Sequence, residues 1–89
     1  MGTAAGDAGL ADELIALIND EITLDPSVPV EGSTDLLLTG LVDSLGVVQI
    51  VEWLEDRTGV EIDPGDVILE HFQTVDLMVA FMDRLATAR

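Results

Sequence analysis

The residues best placed to do chemistry are Asp43-Ser44-Leu45. They follow the loop Thr39-Gly40-Leu41-Val42 and open the strongest helical pattern in the chain. A serine there has its hydroxyl at the mouth of a helix, where free backbone N–H groups and the positive dipole end face outward. A phosphate on that oxygen would be well placed electrostatically. The triplet alone does not decide the matter, because Ser and Asp are the preferred helix N-caps. Ser44→Ala should leave the fold nearly intact, at a cost of about 0.5–2 kcal/mol from the lost cap, and abolish function.

Other chemistry finds little support. The single histidine, His71, follows Glu70 near the end of a short helical pattern and reads as a solvated or capping residue. No base stands at an obvious spacing to activate Ser44. The chain has no lysine for a Schiff base and no glycine-rich phosphate motif. Glu61-Ile62-Asp63-Pro64-Gly65-Asp66 has the wrong order for a calcium loop. Weak, scattered divalent binding is expected, without a dedicated metal site. With no cysteine, disulfides and thiolate chemistry are excluded.

Composition narrows the class. The 89 residues suffice for one domain and one core. With 48% hydrophobic residues the chain can fold, but only 3% are aromatic, so the core must be aliphatic. Eighteen acidic residues face three arginines, a net charge of −15. That balance argues against nucleic acid and anionic membranes and suits partners with basic surfaces. It should also make the fold sensitive to salt. Met1 to Gly9 lacks the basic and apolar regions of a signal peptide, and no apolar run approaches transmembrane length. A cytoplasmic protein is expected.

The pattern predicts an all-α fold, a small antiparallel four-helix bundle of three main helices plus one short third helix. Residues 1–6 should be loose and the core should span about 7–88, as one domain over 1–89. The first helix carries a stripe of Leu10, Leu14, Leu17 and Ile18, widened by Ala11, Ile15 and Ile22, while Asp12, Glu13, Asn19 and Asp20 face water. It should end near Ile22 to Leu24, ahead of Pro26 and Pro29. The connection Thr23 to Asp43 exceeds the usual two to about eight residues. It must therefore be packed down, with Leu36, Leu37, Leu38, Leu41 and Val42 as anchors and room for a short helical turn. The second helix should run from Ser44 to about Thr58 and stop at Gly59. Its inner face is Val47, Ile50, Val51 and Leu54, with Trp53 partly buried beside it and Arg57 complementing the dipole. Asp63-Pro64 reads as cap and first position of the short helix, anchored by Val67, Ile68 and Leu69, ending near His71 and closed by Phe72. Thr74 should cap the last helix, whose stripe is Val75, Met78, Val79, Met82 and Leu85, with Phe81 alongside.

From about Leu10 to Leu85 the sequence resembles the acyl carrier and peptidyl carrier protein family, whose attachment motif stands here as Gly40-Leu41-Val42-Asp43-Ser44-Leu45. The resemblance implies a carrier without catalytic activity of its own. Ser44 would receive a covalent 4′-phosphopantetheine arm from a phosphopantetheinyl transferase, and the arm's thiol would carry an acyl or aminoacyl thioester. Asp43 would help place that transferase or its magnesium, or would only cap the helix. Leu45, Val48, Gln49, Glu52, Glu55 and Asp56 are the candidates for partner recognition, against the simpler reading of the acids as a solvated face.

Fatty-acid-synthesis carriers usually have acidic residues where this chain has Gly46 and Gln49. The stretch Asp43 to Gln49 and the segment Glu70-His71-Phe72-Gln73-Thr74-Val75 look closer to D-alanyl and other stand-alone aminoacyl carriers. Ala, Gly, Val and Arg usage with no Lys points to a GC-rich bacterial genome, and so to polyketide or nonribosomal-peptide biosynthesis, antibiotic pathways included. The partners implied are an adenylating or acyltransferase loading enzyme and a downstream synthase, ketosynthase or transferase with basic docking surfaces, the chain itself being a monomer. Two other readings stand beside this one: a carrier in fatty-acid synthesis, and an acidic helical interaction or inhibitor module with no prosthetic group.

Overall fold

Helix α1 covers Thr3–Leu17 in a computed structural model that describes the backbone of residues 3–88 and the side chains of residues 9–87. Met1 and Gly2 lie outside the described residues, and the helix begins at Thr3 rather than near Asp7. Alanines at 4, 5 and 8 favour that extension. Leu10, Leu14 and Ile18 are buried along its inner face, and Leu17 is half-buried. Its last turn widens into a π turn, Ile18–Ile22, closed by Thr23 N–H donating to the Ile18 carbonyl at 2.8 Å. The expected end of the helix holds, but the wider turn was not legible.

The long connection is packed down, though not by all the predicted anchors. Leu36, Leu41 and Val42 are buried; Leu37 is half-buried; Leu38 is 72% exposed. Three consecutive leucines entering a turn cannot all face inward, so Leu36 points in and Leu38 out. Val30 is a further anchor. Asn19, expected in water, is half-buried and brackets it, donating to the Val30 carbonyl at 3.3 Å and accepting the Val30 N–H at 3.0 Å. A hydrogen-bonded turn at residues 37–40 stands where a helical turn was allowed for.

Helix α2 spans Ser44–Thr58 and stops at Gly59, whose φ of 73° suits a residue without Cβ. Ile50 and Leu54 are buried, with Val47, Val51 and Trp53 packed around them. Arg57 does more than complement the helix dipole: it grips Glu13 of α1 with two bonds, at 2.7 and 2.8 Å. This is the one ion pair among the described residues.

The predicted third helix is divided. Asp63 accepts from the Gly65 N–H at 2.9 Å and starts a single 3-10 turn, Pro64–Asp66. The β-branched pair Val67-Ile68 then breaks the helical path, with Ile68 extended. Helix α3 is only Leu69–Phe72. Ile68 and Leu69 are exposed rather than anchors; Phe72 is the buried residue. Helix α4 spans Val75–Ala88, capped by Thr74 Oγ1, which accepts from the Leu77 N–H at 3.1 Å. It packs against α1 and α3 through Val75, Met78, Phe81 and Met82. No strand occurs among the described residues, and no helix there is long and apolar enough to cross a membrane.

Candidate functional site

Asp43, not Ser44, is the N-cap of α2. Its backbone is extended, and its Oδ1 accepts from the Gly46 N–H at 2.9 Å. Its carbonyl accepts the first helical bond, from Val47, at 2.9 Å. Ser44 is therefore the first helical residue, and its hydroxyl is not needed for the cap. Of the amides at the helix mouth, those of Ser44 and Leu45 have no helical carbonyl to bond. They face outward beside the Ser44 side chain, which is exposed. The surroundings fit a phosphodiester on Ser44 Oγ: open to an incoming enzyme, at the positive end of a helix, with N–H groups at hand.

Gly46 is what lets α2 start here. A Cβ on it would lie 2.8 Å from Val42 Cγ1 and 2.9 Å from Ile22 Cγ2. The end of the π turn, the last loop residues and the first turn of α2 thus meet at Gly46. Sequence reading treated Gly46 as a place where an acid was missing. The packing reason, a glycine inside a helix, was available as a signal.

Ser44 stands at the rim of an apolar cleft of about 530 Å³. Its walls come from α2 (Val47, Val48), from the loop (Leu37, Val42) and from the α3 side (Val67, Ile68, Leu69, Phe72). A second groove of about 400 Å³ continues from it beyond Val48 and Val67, toward Val51, Ile62 and Pro64. The exposure of Ile68 and Leu69, unexplained by the core, belongs to this cleft.

The six predicted recognition residues do not form one patch. Leu45 and Val48 are 66% and 51% exposed, and Val48 lines the cleft. Gln49 is exposed on the other flank, over a small hollow with Leu17, Glu21, Ile22 and Trp53. Glu52 and Asp56 are exposed. Glu55 is half-buried, and its Oε2 accepts from the Ile62 N–H at 2.8 Å. This carboxylate ties α2 to the linker after it and is not a free charge on the face. His71 lies flat on Phe81, ring centroids 4.2 Å apart and planes at 11°, with the Arg84 guanidinium 6.0 Å from the same ring. The histidine expected in solvent is thus half-buried in an aromatic stack.

Comparison with known proteins agrees with this geometry. The family described as the phosphopantetheine attachment site matches residues 12–82. No curated protein matches the chain. Chains of solved structures do match. One belongs to a structure described as the crystal structure of FAD-dependent dehydrogenase: 28% identical, TM-score 0.71, with 80% of this chain and 100% of that chain covered. The family is defined by a covalent 4′-phosphopantetheine arm on a serine, so the reading without a prosthetic group falls away. With the match spanning most of its length and the all-helical fold in place, the chain belongs to the phosphopantetheine-binding family of acyl and peptidyl carriers.

Proposed function

We propose that the protein is a discrete, non-catalytic carrier. It holds an acyl or aminoacyl group as a thioester on a phosphopantetheine arm at Ser44 and presents that group to successive enzymes. The observation that carries this reading is the placement of Ser44: exposed, first in α2, relieved of capping by Asp43, and at the rim of an apolar cleft. The arm supplies the thiol that the chain itself lacks. The chain's own residues do the rest. Asp43 and Gly46 fix the start of α2, the outward N–H groups meet the phosphodiester, and the cleft walls offer an apolar bed beside it. Asp43 is read as a cap first, with any part in placing the transferase or its magnesium secondary.

Leu45, Val48, Gln49, Glu52 and Asp56 are the residues we assign to partner docking, with Glu55 contributing through the shape of the helix end. The net charge of −15 steers encounter with basic surfaces, in a cytoplasmic setting. The absence of acids at Gly46 and Gln49 favours a stand-alone carrier of a polyketide or nonribosomal-peptide type pathway over one serving fatty-acid synthesis. Partners are then a phosphopantetheinyl transferase, a loading enzyme and a downstream synthase or transferase. A second reading of the downstream partner has one observation behind it. The matched solved chain is of carrier size, yet its structure is described by an FAD-dependent dehydrogenase. A flavoenzyme that oxidises the carried thioester is accordingly a candidate partner.

The test is which enzyme loads the arm. Holo protein is offered an adenylating enzyme with amino acids, or a malonyl transferase with malonyl-coenzyme A, and thioester formation is read by intact mass. Loading by adenylating enzymes alone supports the aminoacyl reading. Loading by the malonyl transferase alone replaces it with chain elongation.

A further inference from the structure

The segment leading to Ser44 has no helix to hold it, and a set of hydrogen bonds centred on Asp35 fixes it instead. Gln73, at the junction of α3 and α4, donates its side-chain amide to Asp35 Oδ2 at 2.7 Å. Its carbonyl accepts the Leu36 N–H at 2.8 Å. Asp35 in turn holds the 37–40 turn: Oδ1 accepts the Leu38 N–H at 2.9 Å, and its carbonyl accepts the Thr39 hydroxyl. The Val42 N–H donates to the Leu36 carbonyl at 3.0 Å, which carries the register on to Asp43 and Ser44. The Asp35 carboxyl is held below the usual carboxylate range, first by the Gln73 side chain and then by the Leu38 amide.

This clamp keeps in place the most exposed large apolar side chain among the described residues, Leu38. A solvent-facing leucine at a turn tip adds nothing to the core. The clamp spans 38 residues of sequence to hold a turn of which only Leu37 packs against the core. Leu36, Leu41 and Val42 already bury the segment.

We propose that the Asp35–Gln73 pair is a positioning device for modification at Ser44, holding the 37–40 turn so that Leu38 makes an apolar contact with the incoming phosphopantetheinyl transferase. The proposal rests on Ser44 being the attachment serine. The transferase is the occupant because it must close over Ser44, and Leu38 lies on the loop that leads to that serine, in the turn enclosed by the Asp35 bonds and the Leu36–Val42 bond. Asp35 and Gln73 touch neither reacting atom; they act through the turn.

The experiment is steady-state transfer from coenzyme A with magnesium and a promiscuous phosphopantetheinyl transferase, with carrier concentration varied and holo protein read by intact mass. Asp35→Ala should raise KM for the carrier about tenfold, the size of one lost contact, with kcat changed by less than about twofold. Leu38→Ala should do the same, and the double variant should be no worse than the weaker single one, because both remove one interaction. Asp35→Asn should stay near wild type, since its amide oxygen still accepts from the Leu38 N–H and the Gln73 side-chain amide can turn over so that its oxygen accepts from the new NH2 group. Gln73→Ala supplies the same test should Asp35→Ala fold poorly. Effects that multiply in the double variant, an unchanged KM in Asp35→Ala and Gln73→Ala, or a fall in kcat alone would overturn the proposal. A wild-type chain that takes no arm would overturn the attachment reading and this proposal together.

Discussion

The packed interior and the shoulder around Ser44 are held by different forces. In the interior, Leu14 of α1, Ile18 of its π turn, Ile50 and Leu54 of α2, and Met78 of α4 are wholly buried. Nondirectional apolar burial fixes that region, at about 25 cal/mol per Å² removed from water. At the shoulder, Leu38, Leu45, Val48, Ile68 and Leu69 stay exposed, and directed hydrogen bonds set the geometry: Asp43 to Gly46, Asp35 to Gln73 and Leu38, Leu36 to Gln73. The interior supplies stability, while at the shoulder polar bonds hold the backbone and leave apolar side chains uncovered, as the proposed use by an arm and by partners requires.

The largest expected effect comes from the interior. Leu54→Ala should destabilise by about 2–5 kcal/mol through a cavity, while the folded fraction still accepts the arm. A near-zero shift of the urea midpoint would place stability elsewhere than in this interior. Gly46→Ala lies on the boundary between the two regions. The added methyl meets Val42 and Ile22 inside 3 Å. Crowding of this kind costs about 1–3 kcal/mol, against about 1 kcal/mol gained in helix propensity. A net loss is expected, with slower modification because the start of α2 must shift. A stabilised variant modified at the normal rate would break the boundary argument.

Smaller again is Ser44→Ala. Since Asp43 provides the cap, the change in stability should stay within about 0.5 kcal/mol. That replaces the larger cost anticipated when Ser44 itself was considered as a cap. The most local effect is the pH dependence of the Asp35 clamp. A carboxylate with a depressed pKa contributes stability above its unfolded value, near pH 4, and loses it as pH falls through the folded value. The stability gap between wild type and Asp35→Ala should therefore be present at neutral pH and close as pH falls below about 4. A gap that widened on acidification would contradict the clamp.

Legibility in the sequence follows the same division. Helix periodicity gave Leu10, Leu14, Ile18, Ile50, Leu54, Val75, Met78 and Met82 as interior, and local chemistry gave the Asp63 and Thr74 caps and the Gly59 stop. The shoulder was harder. Leu36-Leu37-Leu38 and Val67-Ile68-Leu69 are unbroken apolar runs without a period, so nothing local says which member faces out. The Asp35–Gln73 clamp and the Asn19 bracket on Val30 join residues far apart in sequence, where pattern reading has no reach. Ser44 itself was legible as a special position, but its freedom from capping depended on which neighbour's carboxylate reached the Gly46 amide.

The central claim is that Ser44 Oγ takes the arm, and intact mass tests it most directly. Wild type and Ser44→Ala are each incubated with coenzyme A, magnesium and a promiscuous phosphopantetheinyl transferase. A gain of one phosphopantetheinyl unit is expected on the wild type and none on a folded Ser44→Ala. An equal gain on both would move the attachment to another residue, and no gain on the folded wild type would mean that this protein takes no arm.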